Sequence, residues 1–261
     1  MLDGSRDLAL VTGASSGIGA AFARVLAAKG WDLAITARRG DRLERLREEL
    51  CAEHRVEVNV IERDLAAPDG AESLLARCRD LGRPVTMLVN NAGLGCYGPM
   101  VESALEPIRL QLQVNLVCLT ELARLFGADM ARRGRGYLLN VSSMAGLMPL
   151  PRYAVYSATK AYVLSLSQTM RYELRRSGVQ VSVLCPGVVD TEFFHAAGHP
   201  PGFWMRQMTL RAAHVARAGV AGVLRGKPVI VPGVVYKAGA LLARVLSPGL
   251  ASAFMDAIVG R

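Results

Sequence analysis

The stretch DLALVTGASSGIG, Asp7 to Gly19, sets a short apolar run directly against three glycines spaced G-x-x-x-G-x-G. Its first half, DLALVTG (7–13), reads as a buried strand, and a helix-length segment from about Gly17 to Lys29 follows. Glycines at such a junction have a physical use. Gly13 lets the chain turn off the strand, while Gly17 and Gly19 let backbone approach a pyrophosphate that a helix N-terminus favours. Ser15, Ser16 and Ile18 complete the loop. The spacing differs from the commoner G-x-G-x-x-G, and a glycine triplet alone is weak evidence. Its place in the first strand–helix turn of an alternating chain is what gives it force.

The alternation continues outward from there. WDLAITA (31–37) reads as the second strand, followed by the charged helix DRLERLREELCAEH. VEVNVIERDL contains a third strand, a helix runs through 69–81, and PVTMLVNNAG is the fourth strand. Two helices are expected around 103–114 and 116–133, then GYLLNVSS as a fifth strand. A helix holding Tyr156 runs to about Arg176, VQVSVLCPG is the sixth strand and KPVIVPG the seventh. Strands alternating with helices imply βαβ units and a parallel sheet buried on both faces. Right-handed crossovers then predict a single Rossmann-like, doubly wound α/β domain over 1–261, strand order 3-2-1-4-5-6-7, with ligands at the carboxyl ends of the strands. Residues 190–225 and 234–261 are helical by elimination.

Composition narrows the classes. At 261 residues and 51% hydrophobic content, one large core suits the chain better than two. No stretch reaches the roughly 18 uninterrupted apolar residues of a membrane span. Residues 228–245 are broken by Pro232, Lys237 and Arg244. The polar N-terminal segment does not read as a secretory leader. Five scattered cysteines without a C-x-x-C pair suit a reducing compartment, so a cytoplasmic location is expected. The net charge of +9 is uneven: from His195 onward eight Lys and Arg face one acid, Asp256. Either this tail meets an anionic partner or its arginines decorate solvated helix faces. Nucleic acid is the less favoured partner, because the tail lacks the interleaved aromatics of a stacking surface.

Two further stretches carry chemistry. A dinucleotide site places an acid at the end of the second strand when it binds a ribose 2′-hydroxyl, and prefers Arg when it binds a 2′-phosphate. Here the residues are Thr36-Ala37-Arg38-Arg39. The absent acid and two guanidiniums point to a phosphate, unless the arginines merely open a charged helix. In RYAVYSATKAYV (152–163), Tyr156 has Lys160 four residues on, one helical turn away. An ammonium there would pull the phenol toward its working range. A surface Tyr–Lys pair is the plainer reading of that motif alone.

Taken together these residues resemble the short-chain dehydrogenase/reductase family, over nearly the whole chain to about Pro232. The resemblance rests on Thr12-Gly13-x-x-x-Gly17-x-Gly19, Asp64-Leu65, Asn90-Asn91-Ala92-Gly93, Asn115, Ser142-Ser143, Tyr156-x-x-x-Lys160, and Pro186-Gly187 followed by Thr191. It implies a catalytic tetrad of Asn115, Ser143, Tyr156 and Lys160; Ser143 is preferred to Ser142 because it lies thirteen residues before Tyr156. It also implies that Asp64 and Leu65 meet the adenine, that Asn91, Ala92 and Gly93 border the adenosine, and that Pro186, Gly187, Val189 and Thr191 hold the nicotinamide. Tyr156 would be the acid/base, Ser143 would polarise a carbonyl, Lys160 would lower the phenol pKa and bind ribose, and Asn115 would support a proton relay through a water. The cofactor expected is NADP(H) rather than NAD(H), resting mainly on Arg38, because Ser15-Ser16 replace the basic residue of many NADP-dependent members. Arg39 is expected to do less, flanking the adenine or facing water. The competing class is an NADP(H)-binding regulatory protein without significant turnover.

The substrate side is expected to be apolar. TEFFHAAGHPPGFWMRQM, after Asp190, carries Phe193, Phe194, Phe203 and Trp204 beside Pro200-Pro201, and reads as a movable lid or a small helix packed on the core. Either favours a hydrophobic ketone or aldehyde. His195 and His199 lack the Cys or carboxylate company of a metal site, so no metal is expected. The amphipathic tail 234–261, broken at Pro248-Gly249, has three readings: contact with a partner subunit in a homodimer or homotetramer, a membrane surface, or closure of the domain. Partner contact is the first choice, since the resemblance implies assembly through long helices.

Overall fold

Seven strands form one parallel sheet in the order β3-β2-β1-β4-β5-β6-β7. They are β1 (Leu8–Thr12), β2 (Asp32–Ala37), β3 (Val58–Glu62), β4 (Val85–Asn90), β5 (Gly136–Val141), β6 (Val179–Leu184) and β7 (Val229–Ile230). The computed structural model describes residues 6–199, 202–243, 246, 249–250, 252–253 and 256, without the side chains of Phe203 and Trp204. Pro200, Pro201 and Pro248, named above, lie outside the described residues, as do the Phe203 and Trp204 side chains.

Helices cover both faces: α1 (Gly17–Ala27), α2 (Gly40–His54), α3 (Gly70–Arg79), α4 (Leu105–Leu112), α5 (Leu119–Arg133), α6 (Ala154–Glu173), α7 (Phe193–Ala196), α8 (Phe203–Gln207), α9 (Ala212–Leu224) and α10 (Val234–Leu242). Successive strand residues point to opposite faces, so one strand feeds two cores. Val11, Ile35, Val89 and Leu139 join Phe22 and Leu26 of α1, Leu43 and Leu50 of α2 and Val220 of α9. Leu10, Leu88 and Leu138 join Leu74 of α3 and Leu122, Phe126 and Met130 of α5 on the other face. Burial on both faces is why β1, β2 and β4 read as near-continuous apolar runs. The chain leaves β3 at one edge and returns as β4 beside β1, and that reversal opens a crevice at the carboxyl ends.

Three expectations are corrected. The helices expected at 103–114 and 116–133 are one run, with a π-helical segment, Gln113–Cys118, joining α4 to α5. The seventh strand is two residues long, not KPVIVPG, because Pro228 and Pro232 bring no N–H to a ladder. The lid region expected over 190–225 stops short of α9. Val215, Ala216, Val220 and Val223 are fully buried, and Gly219 sits so close to Phe22 that a Cβ would stand 2.9 Å from its ring. Among the described residues no helix is long and apolar enough to cross a membrane.

Candidate active site and dinucleotide cleft

The glycine loop is tied to the end of β4 before any ligand is considered. Thr12 Oγ1 accepts from the N–H groups of Asn91 (2.9 Å) and Ala92 (3.0 Å), and Asn91 Nδ2 donates to Thr12 O at 2.9 Å. Gly13 turns with φ +67°, a conformation that L side chains avoid. A Cβ on Gly19 would stand 2.1 Å from Gly13 O, so the loop folds directly onto the first turn of α1. That turn has no side-chain cap and no acid. Unsatisfied N–H groups and the positive end of the helix dipole therefore face the crevice, which fits a pyrophosphate.

A cleft of about 740 Å³ runs from this loop past the ends of β2, β4, β5 and β6. Gly13, Ser15, Ser16, Gly17, Ile18, Gly19, Arg38, Arg39, Asp64, Leu65, Asn91, Ala92, Gly93, Pro186, Gly187, Val189 and Thr191 all line it, with Ser143, Tyr156 and Lys160. Asn115 is the one named residue behind the wall. Fully buried in the π-helical segment, its Oδ1 accepts from Leu94 N–H and its Nδ2 donates to Leu94 O, both at 2.8 Å. Nδ2 also reaches Thr159 Oγ1 on α6 at 3.3 Å. The side chain thus holds the segment after β4.

The two serines at the end of β5 divide their tasks. Ser142 Oγ is buried and donates to Lys160 O at 2.6 Å. Ser143, extended at φ −163°, accepts from Ala145 N–H at 3.1 Å and faces the cleft. Lys160 is buried, and its Nζ donates to Val141 O at 2.9 Å, lying 5.6 Å from the centre of the Tyr156 ring. Burial pushes the Lys160 ammonium down to about 8. Burial also pushes the Tyr156 phenol up to about 12, opposed by a hydrogen bond with Ser143. The expected lowering of that phenol by Lys160 is therefore not what the open cleft shows. Loss of hydration is the larger effect on the phenol, and the Ser143 hydrogen bond is what opposes it.

The two arginines after β2 take different positions. Arg38 is exposed on the cleft wall. Arg39 lies across the glycine loop, donating from Nη2 to Ser15 Oγ (3.0 Å) and Ser16 Oγ (2.8 Å). Two signals were absent from the sequence reading. Glu192 closes an ion pair with Arg39, and Tyr236 of α10 reaches into the cleft wall. Tyr236 Oη accepts from Val188 N–H and donates to Met208 O, both at 2.9 Å, and a Cβ on Gly187 would stand 1.9 Å from its ring. Helix α10 of the tail thus closes this side of the cleft with Val235, Ala238, Gly239 and Leu242.

Above Tyr156 the cover is aromatic. Phe193 lies 5.2 Å from the Tyr156 ring and meets Phe194 edge-on. His199 Nδ1 sits 3.1 Å from the hydroxyl of buried Tyr153, and its ring stacks on Tyr97 at 3.9 Å. This histidine pins the cover and has no ligand cluster; among the described residues no group of His, Cys, Asp and Glu could hold a metal.

A family model for short chain dehydrogenase matches residues 7–201. Sulfoacetaldehyde reductase 2 of Chromohalobacter salexigens is 35% identical over 189 residues, 72% of this chain and 74% of that protein. A short-chain dehydrogenase from Sphingobium yanoikuyae in complex with NADPH superposes with TM-score 0.81 at 31% identity, over 92% of this chain and 96% of that one. A short-chain dehydrogenase/reductase from Burkholderia phymatum in complex with NAD has TM-score 0.81 at 27% identity, over 93% and 94%.

Proposed function

The chain belongs to the short-chain dehydrogenase family and is an oxidoreductase, and from that premise we propose an NADP(H)-dependent enzyme that interconverts a hydrophobic ketone or aldehyde and its alcohol. The observation that carries this reading is the convergence of Ser143, Tyr156 and Lys160 on a cleft that also receives the uncapped end of α1. When bound, the dinucleotide supplies or accepts the hydride. Ser143 and Tyr156 donate hydrogen bonds to the carbonyl oxygen, where negative charge grows. Tyr156 then gives up its proton. A phenol pushed up to about 12 is protonated at neutral pH, the state that a proton donor needs.

Lys160, at about 8, is mostly charged at neutral pH. With one N–H on Val141 O, it offers its others to a ribose hydroxyl and toward the Tyr156 hydroxyl. Asn115 is a positioning residue that holds Leu94 against α6. Its Oδ1 keeps a second lone pair for the water of a relay. Asp64, Leu65 and Asn91 to Gly93 flank the adenosine, and Pro186 to Thr191 hold the nicotinamide side. The preference for NADP(H) is supported by the acid-free end of β2, where Arg38 stands exposed and Arg39 lies over Ser15 and Ser16. The apolar substrate class is supported by Phe193, Phe194, Met205, Met208, Val235 and Leu242 around the deep end.

The test is turnover of purified protein with NADPH against a panel of ketones and aldehydes, beside Tyr156→Phe. The variant is expected to lose at least about a hundredfold in kcat, with NADPH binding by calorimetry nearly unchanged, because only a hydroxyl is removed. Full turnover by the variant discards the proton-transfer role. No turnover by the parent on any carbonyl, with NADPH bound, favours a regulatory protein instead.

A further inference from the structure

One charged cluster at the cleft takes no part in the hydride and proton transfer just described. Arg39 Nη1 donates to Glu192 Oε2 at 2.8 Å, and Arg42 Nη1 donates to Glu192 Oε1 at 2.6 Å. Each oxygen of one carboxylate thus holds one guanidinium. The same Arg39 is fixed by Ser15 Oγ through Nε (3.2 Å) and Nη2 (3.0 Å), and by Ser16 Oγ (2.8 Å). Two guanidiniums and two hydroxyls at the end of β2 are the donor set that a phosphate monoester takes. Here a carboxylate has taken the anion's place.

Glu192 lies between Thr191, against which the glycine loop packs, and α7, which carries Phe193 over Tyr156. Its ion pairs therefore tie the cover of the substrate end to α2 and the glycine loop at the adenosine end. We propose that Glu192 is a built-in stand-in for the 2′-phosphate of the cofactor, a latch that an entering phosphate displaces, freeing the segment Thr191–Phe194. The inference rests on the dinucleotide reading above and deepens it. Two neighbouring arginines hold the carboxyl down at about 2, so the latch is charged across the working pH range. A dianionic phosphate and this carboxylate cannot share Arg39 and Arg42 without like-charge repulsion. Arg38 is exposed on the same cleft wall. Glu192 is thus a specificity-determining residue with an inverted sign: it opposes the ligand whose site it fills.

Calorimetric titration with 2′,5′-ADP and with 5′-AMP reads this without turnover. The protein is expected to bind 2′,5′-ADP more tightly than 5′-AMP. Glu192→Gln, which keeps shape and loses charge, should tighten 2′,5′-ADP by roughly fivefold and leave 5′-AMP within about twofold. Hydrogen exchange in 191–197 should speed up when the parent is saturated with 2′,5′-ADP. Unchanged or weaker 2′,5′-ADP binding in Glu192→Gln, with discrimination kept in the parent, overturns the latch and leaves the cofactor reading standing. Discrimination seen only in the variant keeps the latch and overturns the parent's preference. Absence of discrimination in both proteins removes both.

Discussion

Lys160 shows at the scale of one residue how burial and charge set a pH dependence. Its ammonium is pushed from 10.5 to about 8, so between those values the unfolded chain binds more protons than the native one. Stability then rises with pH across that window, and the charged, desolvated lysine is a cost below it. Lys160→Met removes the titration. The variant's unfolding free energy, relative to the parent, should therefore decline as pH rises from about 8 to about 10. A difference that stays constant with pH would show that the ammonium keeps its hydration. The residue scale also separates what type and spacing can say. Ser142 and Ser143 are the same residue type, separated in the sequence only by the interval that the resemblance implies, and the hydrogen bond of Ser142 to Lys160 O gives that separation a physical cause. Likewise nothing in Arg38-Arg39 says that the second, not the first, lies over Ser15 and Ser16.

The π-helical segment is the element whose local irregularity has the clearest consequence. An extra residue in the turn places Asn115 inward, where both ends of its amide pair with Leu94. Asn115→Ala would leave a buried N–H and a carbonyl without those partners. A loss of about 2–3 kcal/mol in urea unfolding is expected, with an unchanged denaturant slope. A loss below about 0.5 kcal/mol would mean that water replaces the amide without penalty. The helix pattern on either side was legible, and Asn115 was named from the resemblance. The join was not, because a one-residue change in hydrogen-bond spacing over a six-residue segment leaves little mark on hydrophobic periodicity. The short β7 was legible in principle, since Pro228 and Pro232 stand at its borders.

At the scale of the whole molecule, several apolar side chains stand exposed among the described residues. Leu105 (62% exposed), Leu110, Leu112, Val117 and Tyr162 stand out along α4, the π-helical segment and α6. Long helices of the same layer carry them, and a second copy of the chain is the occupant expected there. Light scattering should then give a mass of two or four chains of 28.0 kDa, and Val117→Arg should shift it toward one. A parent that runs as a single chain at micromolar concentration would overturn this. Closure of the cleft belongs to the same scale. Tyr236 comes from the far end of the chain, yet its hydroxyl pairs with Val188 and Met208 and its ring lies on Gly187.

The order of elements, the sheet topology and the cleft position were determined by the sequence itself. Apolar runs of strand length, broken by helix-length periodic segments, imply a doubly wound parallel sheet, and TGASSGIG marks the turn where its crevice opens. The four-residue interval put Tyr156 and Lys160 on one helical face, but their catalytic roles came from the family resemblance and not from the spacing. What only the tertiary structure decided involves partners remote in the chain. Glu192 meets Arg39 across 153 positions, and Tyr236 meets Val188 across 48. Whether burial or a neighbouring ammonium governs the Tyr156 phenol depends on how much water the assembled walls exclude. No interval along the chain encodes that quantity, because α6, the end of β5 and the cover carrying Phe193 contribute to it together.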